Sequence, residues 1–325
     1  MRYLARRFAF YLVTAWAAVT LNFLIPRLMP GDPVQALLTR FRGRVDPGAA
    51  DALSALFGLN HESLWSQYRT YLLDIVTGDF GTSFSYYPTP VSTVISSSLP
   101  WTLVLVGLST VISFLIGTAF GVVAGWRRGS WWDHLIPTTT FLSSVPYFWF
   151  GLITLFVFAG ELHWFPITGG YASSLSVSFS GPFLASAFRH AILPGVTIIV
   201  ASVAGWLVPM RNMMVTTMSD DYVTLAEAKG LPSRRIMLSY AARNAILPSV
   251  ATFTMSLGFV VGGAVLTEIV FSYPGIGYTL YQAVINQDFP LMQGVFLIIT
   301  FVVLVANFFA DLAYVALDPR TRAEA

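Results

Sequence analysis

The chain has 325 residues, of which 55% are hydrophobic and only 10% are charged, and its formal net charge is +2. With a mean hydropathy of +0.68, this composition excludes an ordinary water-soluble fold and indicates a protein embedded in lipid. The absence of cysteine excludes a catalytic thiolate and a cysteine-ligated metal. The four histidines have no metal-ligand spacing, and so small a net charge gives no reason to expect nucleic acid as a partner.

Six uncharged stretches are long enough to cross a bilayer, whose apolar core of about 30 Å needs about 20 helical residues. In chain order they are Phe8–Pro26, a span within Val91–Trp126, Leu135–Gly160, Ala191–Met210, Ala245–Thr267 and Phe289–Ala310. We expect Pro100 in the first turn of the second helix, and kinks or helix starts at Pro146, Pro194 and Pro248. The sequence therefore predicts an all-α integral membrane protein with six transmembrane helices.

Positive charge is concentrated on one side of this predicted topology. With the N-terminus inside, the cytoplasmic segments carry most of the basic residues, namely Arg2, Arg6, Arg7, Arg127, Arg128, Arg211, Lys229, Arg234, Arg235, Arg243, Arg320 and Arg322. Short cytoplasmic loops retain Lys and Arg, so the prediction is N-in and C-in. The predicted organisation is a tail with helix one at 1–29, a large extracellular loop at 30–98, a membrane core at 99–317 and a cytoplasmic tail at 318–325. Within the extracellular loop, apolar residues near every third or fourth position predict a helix over Leu64–Val76.

The inner loop 211–246, between the fourth and fifth spans, carries clear local signals. Asp220 or Asp221 can cap a short helix Tyr222–Lys229, and Gly230 can supply its left-handed stop. The proline two residues after that glycine prevents continuation, and a second helix is expected to follow it.

Two interpretations of this loop stay open on the residues alone. Ala226 and Ala228 would let another protein approach the helix backbone closely, as small residues do in packed helix pairs. Alternatively, the loop is an amphipathic connector on the membrane surface, to which Ile236, Met237 and Leu238 contribute apolar contacts.

Several blocks of sequence, in a fixed order along most of the chain, carry a likeness to a known family. They are Tyr3–Arg7, Leu28–Pro33, Gly78–Ser83, Asp221–Val223 with Ala226–Leu231 and then Arg243–Pro248, Phe271–Gly277 and Leu317–Arg320. By these blocks the chain resembles the permease subunits of bacterial and archaeal ATP-binding-cassette (ABC) importers, specifically the B-type subunit of the dipeptide, oligopeptide and nickel permease family.

The resemblance implies that Tyr222–Gly230 is the coupling helix, which sits in a cleft of a separate ATPase subunit. The residues carried over to this role are Asp221, Tyr222, Ala226, Glu227, Ala228, Lys229, Gly230 and Leu231. Leu225 stands where the general motif of such permeases prefers alanine. The resemblance also implies a heterodimer with a homologous second permease, two ATPase subunits, an extracellular substrate-binding protein and a multi-pass place in the cell (inner or cytoplasmic) membrane.

The chain itself lacks the parts of an ATPase. Its one lysine, Lys229, is followed by Gly230, so the Lys-Ser or Lys-Thr of a phosphate-binding loop is absent. We therefore expect no enzyme activity and no cofactor in this chain, with ATP and Mg²⁺ used by partner subunits and transport by alternating access.

Candidate pathway residues lie in and after the fifth span. Gly258 and Gly262 allow close helix contact at a moving interface. Glu268 is expected at the outer mouth, as a solvated interface residue or as a group that attracts the amino terminus of a peptide. Peptides are the first expectation for the cargo, while oligosaccharides with β-linked sugars and, less so, nickel stay open. A secondary transporter is a remote alternative, because it would need paired intramembrane carboxylates, histidines or discontinuous helices around a site.

Overall fold

The computed structural model describes residues 2–28, 63–132, 134–262 and 264–317. Over these ranges the chain forms helices and no β-strand, with one isolated bridge between Thr82 and Pro90. The first half contains α1 (Arg2–Leu28), α2 (Leu64–Thr77), α3 (Val91–Trp126), α4 (Leu135–Ser144) and α5 (Tyr147–Thr154, continued by the π-helix Leu155–Glu161). The second half contains α6 (Gly181–Thr217), α7 (Asp221–Ala228), α8 (Ser233–Arg235, continued by the π-helix Ile236–Ala242 and by Arg243–Ala245), α9 (Leu247–Phe259, ending in the 3-10 turn Val260–Gly262), α10 (Val265–Val270), α11 (Ile276–Ile285) and α12 (Phe289–Leu317).

Four of these helices, α1, α3, α6 and α12, are long and apolar enough to cross a membrane. The pair α4 and α5, bent by 93° at the short break between them, gives a fifth span if the two are counted as one. The prediction of an all-α membrane protein is confirmed, with four to five spans among the described residues.

The predicted fifth span, Ala245–Thr267, is not one continuous helix. α9 ends in a 3-10 turn at Gly262, and α10 begins only at Val265. Glycine has the lowest helix propensity after proline, so the adjacent Gly262 and Gly263 favour a break inside this apolar stretch. Hydropathy reports the length of an apolar run and not its continuity as a helix, which is why the sequence suggested a single span.

The prolines interrupt the helices at some positions only. Pro100 is not in a first turn, because the uncharged residues before it extend α3 back to Val91, inside the segment assigned to the extracellular loop. Pro146 is the N-cap residue of α5, at the bend, and Pro248 lies in the first turn of α9, as predicted. Pro194 lies inside α6, which continues through it.

The packing centre of the bundle is the contact between α3 and α6. Three glycines of α3, each four residues after the last, bring the two backbones together. A Cβ atom built at Gly117, Gly121 or Gly125 would lie only 2.5 to 2.7 Å from an atom of α6. Small residues at this spacing allow close helix contact in a membrane. Nearby, the rings of Phe114 and Phe253 stack with centroids 4.3 Å apart, which joins α9 to the same core.

α1 packs along α12 in an antiparallel arrangement. Near one end the rings of Tyr11 and Phe308 meet edge to face, with centroids 5.7 Å apart. Near the other end Nδ2 of Asn22 donates to the carbonyl of Gln293 at 2.9 Å. The start of α1 and the end of α12 therefore lie at the same end of the bundle.

Candidate functional site

The loop between α6 and α9 contains the predicted short helix. α7 spans Asp221–Ala228, with Asp220 at the N-cap position and Lys229 at the C-cap position. Gly230 follows with a φ of +70°, in the left-handed region that glycine adopts without strain. A helix was predicted over Tyr222–Lys229, and it forms one residue earlier at each end, although Asp220 makes no side-chain capping bond.

One side of α7 is buried against the chain itself. Val223 and Ala226 are 1% and 2% exposed, and they form a small apolar cluster with Ile236 of α8. Contrary to expectation, Ala226 does not face outward, because its methyl group fills this intramolecular contact. Leu231 packs at the edge of the same cluster, together with Trp126 at the end of α3.

The other side of α7 points away from the chain, and we call it the α7 face. Its exposed residues are Asp221, Tyr222, Thr224, Leu225, Glu227, Ala228, Lys229 and Gly230. Leu225 is 56% exposed near the middle of this face, and its neighbours Asp221, Glu227 and Lys229 are charged and exposed. Desolvation raises the pKa of the Tyr222 hydroxyl. Sequence reasoning missed Leu225, because it is the position that departs from the family motif.

α7 is joined to the ends of the two central helices. The buried cluster between α8 and these helices consists of Val122, Met210, Met214, Ala241 and Ala245. In addition, Arg128, just after α3, donates from Nη2 to the carbonyl of Val215 in α6 at 2.7 Å. α7 is therefore linked through α8 to the ends of α3 and α6 by packed side chains.

The residues proposed for a membrane-surface connector are arranged differently from that expectation. Ile236 is buried under α7, and Met237 is partly buried against the cluster between α8 and α6. Only Leu238 of the three is exposed. The apolar contacts of α8 are thus mainly contacts within the chain.

Glu268, in α10 after the break in the predicted fifth span, is fully buried rather than solvated. Its Oε1 accepts a hydrogen bond from the Thr102 hydroxyl at 2.7 Å. Its Oε2 accepts from the backbone N–H groups of Gly277 at 2.8 Å and Tyr278 at 3.1 Å. These N–H groups belong to the first turn of α11, where a negative charge is favourable. The expectation of a solvated carboxylate is therefore wrong, because the chain turns back after α10 and places the start of α11 over it.

Two glycines of the 271–277 block make this arrangement possible. A Cβ atom at Gly275 would overlap the carboxylate of Glu268, and one at Gly277 would lie 2.8 Å from the Cα of Val265. Thr102 completes the network, because its hydroxyl also accepts the N–H of Ile276 at 2.7 Å. The segment Phe271–Gly277 thus forms a turn that binds the Glu268 carboxylate.

The two candidate pathway glycines differ in their surroundings. A Cβ atom at Gly258 would lie 2.7 Å from the Cβ of Ala306, so Gly258 permits close contact between α9 and α12 of the same chain. A Cβ atom at Gly262 would meet nothing within 4 Å. Close helix contact is therefore present at Gly258 and absent from Gly262 within the described residues.

A second buried carboxylate, Asp288, was missed by sequence reasoning. Its Oδ2 accepts hydrogen bonds from the Ser83 hydroxyl at 2.5 Å and the Ser85 N–H at 2.8 Å. Its Oδ1 accepts from the N–H of Leu291 at 3.2 Å, in the first turn of α12. The signal for it is an Asp before Phe-Pro at the start of a long apolar run, which is an N-cap pattern. In the part of the chain described here, no group of His, Asp and Glu residues could hold a metal ion.

Comparison with known proteins gives one consistent result. Residues 117–323 match the family model described as binding-protein-dependent transport system inner membrane component. The chain is 33% identical to the oligopeptide transport system permease protein AppB of Bacillus subtilis, with 98% of both chains covered. It is 33% identical to the di/tripeptide transport system permease protein DppB of Pseudomonas aeruginosa, and 29% identical to the dipeptide transport system permease protein DppB of Escherichia coli, with 99% of both chains covered in each case.

Proposed function

Because this chain belongs to the family of binding-protein-dependent transport system inner membrane components, and is a permease subunit of an ABC peptide importer, we propose that α7 is the helix through which a separate ATPase subunit drives it. The observation that carries the proposal is the division of α7 into two sides. Val223 and Ala226 fix one side to the chain, and the α7 face, with Leu225 near its middle, is left for a partner.

In this proposal the α7 face sits in a cleft of the ATPase. Leu225 and Tyr222 contribute apolar contact area, and the surrounding charges select a complementary surface. ATP and Mg²⁺ are used by the partner subunits, whose closure displaces α7. The buried cluster between α8, α3 and α6 transmits that displacement into the membrane helices, which switch between inward- and outward-facing arrangements.

We further propose six spans with both termini in the cytoplasm. The bent pair α4 and α5 serves as the third span, and the broken pair α9 and α10 serves as the fifth. The antiparallel packing of α1 on α12 supports placing both termini on one side. Arg127 and Arg128 at the end of α3, and Arg234 and Arg235 beside α7, support placing the α7 end of the bundle in the cytoplasm.

The break between α9 and α10 is our candidate for the border of the translocation path. Irregular backbone at membrane depth is tolerated where it is buried in protein or lines a water-filled cavity. A side chain at Gly262 would meet no atom within 4 Å, which favours the cavity. A Gly262→Cys variant is therefore expected to react with a charged thiol reagent, whereas Thr267→Cys, fully buried next to Glu268, is expected to stay unreactive. The reverse result would restore Glu268 to the path and remove Gly262 from it.

The cargo class is peptides, and the three relatives named above are permeases for dipeptides, tripeptides or oligopeptides by name. We propose that the chain forms one half of the path, in a heterodimer with a homologous permease. Two ATPase subunits and an extracellular substrate-binding protein complete the assembly.

The coupling role is tested by comparing two exposed leucines. We expect Leu225→Asp to weaken association with the ATPase subunits by about 2 kcal/mol or more, because it places a charge in the middle of the α7 face. Leu238→Asp, on the exposed side of α8, is the matched control and should leave that association unchanged. Co-purification of the ATPase from membranes and peptide uptake by cells measure the two effects. If Leu238→Asp impairs uptake and Leu225→Asp does not, the loop is a membrane-surface connector and the proposal is wrong.

A further inference from the structure

α2 is held beside the outermost turns of α1 by side-chain contacts. The hydroxyls of Thr20 and Tyr68 lie 2.7 Å apart, and Nδ2 of Asn22 donates to the Tyr71 hydroxyl at 3.0 Å. The apolar span of α1 ends at Ile25, so Thr20 lies about 7.5 Å of helix rise inside that end. α2 is therefore level with the edge of the apolar span and does not stand above it.

A second set of contacts gives the same level. Asn22 also bonds to the carbonyl of Gln293, in the first turns of α12, so the end of one span and the start of the other are aligned. Asp288, directly before α12, holds Ser83 and Ser85 of the segment that follows α2. Both ends of the segment from α2 to the start of α3 are thus tied to the same boundary of the bundle.

The side of α2 that faces away from α1 is apolar. Trp65, Leu73 and Val76 are 74%, 58% and 84% exposed, and Arg69 is exposed between them. Spacings of three and four residues place these four side chains in one stripe along the helix. We call it the α2 stripe.

Lipid is the occupant that this position fits. α1, to which α2 is attached, is the most peripheral of the four long spans, with 17% of its apolar window buried against 33% to 39% for the others. At the level of α2 it exposes Leu21 and Ile25, an apolar surface of the kind that faces acyl chains. Tryptophan and arginine are the residues that prefer the boundary between acyl chains and headgroups.

We propose that α2 is an interfacial helix, with the α2 stripe seated in the outer leaflet of the membrane. Trp65, Leu73 and Val76 rest on the glycerol and upper acyl region, and Arg69 lies at the level of the lipid phosphates. Through Tyr68 and Tyr71, α2 then fixes the depth of the outer end of α1. The assignment to the outer leaflet rests on the proposed topology, but the seating of the α2 stripe in lipid does not depend on the coupling role of α7.

The absence of cysteine makes the test direct, because a single cysteine introduced anywhere carries the only label. Spin labels are attached to Trp65→Cys, Leu73→Cys and Val76→Cys in the full chain, purified with its co-purifying subunits in nanodiscs of phosphatidylethanolamine and phosphatidylglycerol. Collision with oxygen, which partitions into lipid, is compared with collision with a water-soluble nickel chelate. Leu12→Cys, exposed within the span of α1, and Ser174→Cys, exposed in the loop between α5 and α6, give the lipid and water references.

We expect the ratio of oxygen to nickel accessibility at the three positions to be several-fold above that at Ser174→Cys and to approach that at Leu12→Cys. A label at Arg69→Cys should give an intermediate ratio. A water-like ratio at the three positions would overturn the proposal. Low accessibility to both reagents would overturn it as well, because a protein partner then covers the stripe. If one variant fails to insert, the two remaining stripe positions decide the outcome.

Discussion

The α7 face and the two buried carboxylates, Glu268 and Asp288, use charged side chains in opposite ways. On α7 the charged residues are exposed and frame an exposed leucine, so they remain available to another protein. Glu268 and Asp288 are 0% exposed, and their oxygens bind hydroxyl and N–H groups of their own chain. A charge next to an apolar span is therefore not by itself a transport residue, and its hydrogen-bond partners decide what it does.

The carboxylate groups of both residues contact the first turn of a helix and connect that turn to a segment distant in sequence. Glu268 joins the first turn of α11 to Thr102 of α3, and Asp288 joins the first turn of α12 to Ser83. Unpaired N–H groups at a helix start attract negative charge, so both sites stabilise the end of the bundle opposite α7. The comparison predicts that substitutions there lower stability, whereas substitutions on the α7 face lower coupling.

The largest effect is expected from Glu268→Ala. It leaves the Thr102 hydroxyl and two backbone N–H groups without their buried acceptor, so the free energy of unfolding should fall by about 4 kcal/mol. Denaturant titration of the purified chain in detergent measures the change. Glu161→Ala, at the exposed end of α5, is the matched control, with an expected change within about 0.5 kcal/mol. Equal and small changes in both variants would mean that Glu268 is solvated.

Asp288→Ala should lower the free energy of unfolding by about 2 kcal/mol, since it removes an N-cap and the acceptor for Ser83 and Ser85. Asp221→Ala, in the first turn of α7, provides the contrast. We expect it to cost less than about 1 kcal/mol of stability, while peptide uptake falls. The same titration, combined with an uptake assay, separates the two outcomes. A loss of stability for Asp221→Ala as large as that for Asp288→Ala would erase the distinction between the two regions.

Ala226 and Ala228 lie on the buried and the exposed side of α7, so substitutions at them test the two sides separately. Ala226→Leu overfills the cluster with Val223 and Ile236 and should lower the free energy of unfolding by about 1.5 kcal/mol. Ala228→Leu lies on the exposed side and should leave stability within about 0.5 kcal/mol while reducing co-purification of the ATPase. The division fails if Ala226→Leu is tolerated without loss of stability.

A loss of coupling with only a small loss of stability is expected at the end of α7. Gly230→Ala places a side chain at a φ of +70°, which costs about 1 kcal/mol, but the space around it is open, so the chain still folds. Peptide uptake should fall, because the turn that orients the α7 face shifts. Gly181→Ala, where the space is also open and φ is ordinary, is the control and should leave uptake unchanged. Wild-type uptake by Gly230→Ala would show that this turn does not set the coupling geometry.

The features that sequence predicted well are those that short-range chemistry determines. Apolar length fixed the long helices, and an acidic start with a glycine stop fixed α7 to within one residue. The burial of Ala226 could not be read from the sequence, because it depends on where α8 folds back and places Ile236.

The hydrogen-bond partners of Glu268 could not be predicted from the sequence for the same reason. Its partner Thr102 is far away in the chain, and the N–H donors belong to a helix that begins after a turn. The break near Gly262 had a visible cause in adjacent glycines, yet the uniform hydropathy of Ala245–Thr267 concealed it.

The central claim is that the α7 face is seated in an ATPase subunit, and site-directed photo-crosslinking tests it most directly. A benzophenone attached to Leu225→Cys, the single cysteine of the chain, is irradiated in intact membranes. The α7 assignment predicts a crosslinked product that contains the ATPase subunit, and none from the same probe at Leu238→Cys. A probe at Leu225→Cys that crosslinks only lipid, in membranes where the assembled importer takes up peptide, would contradict it.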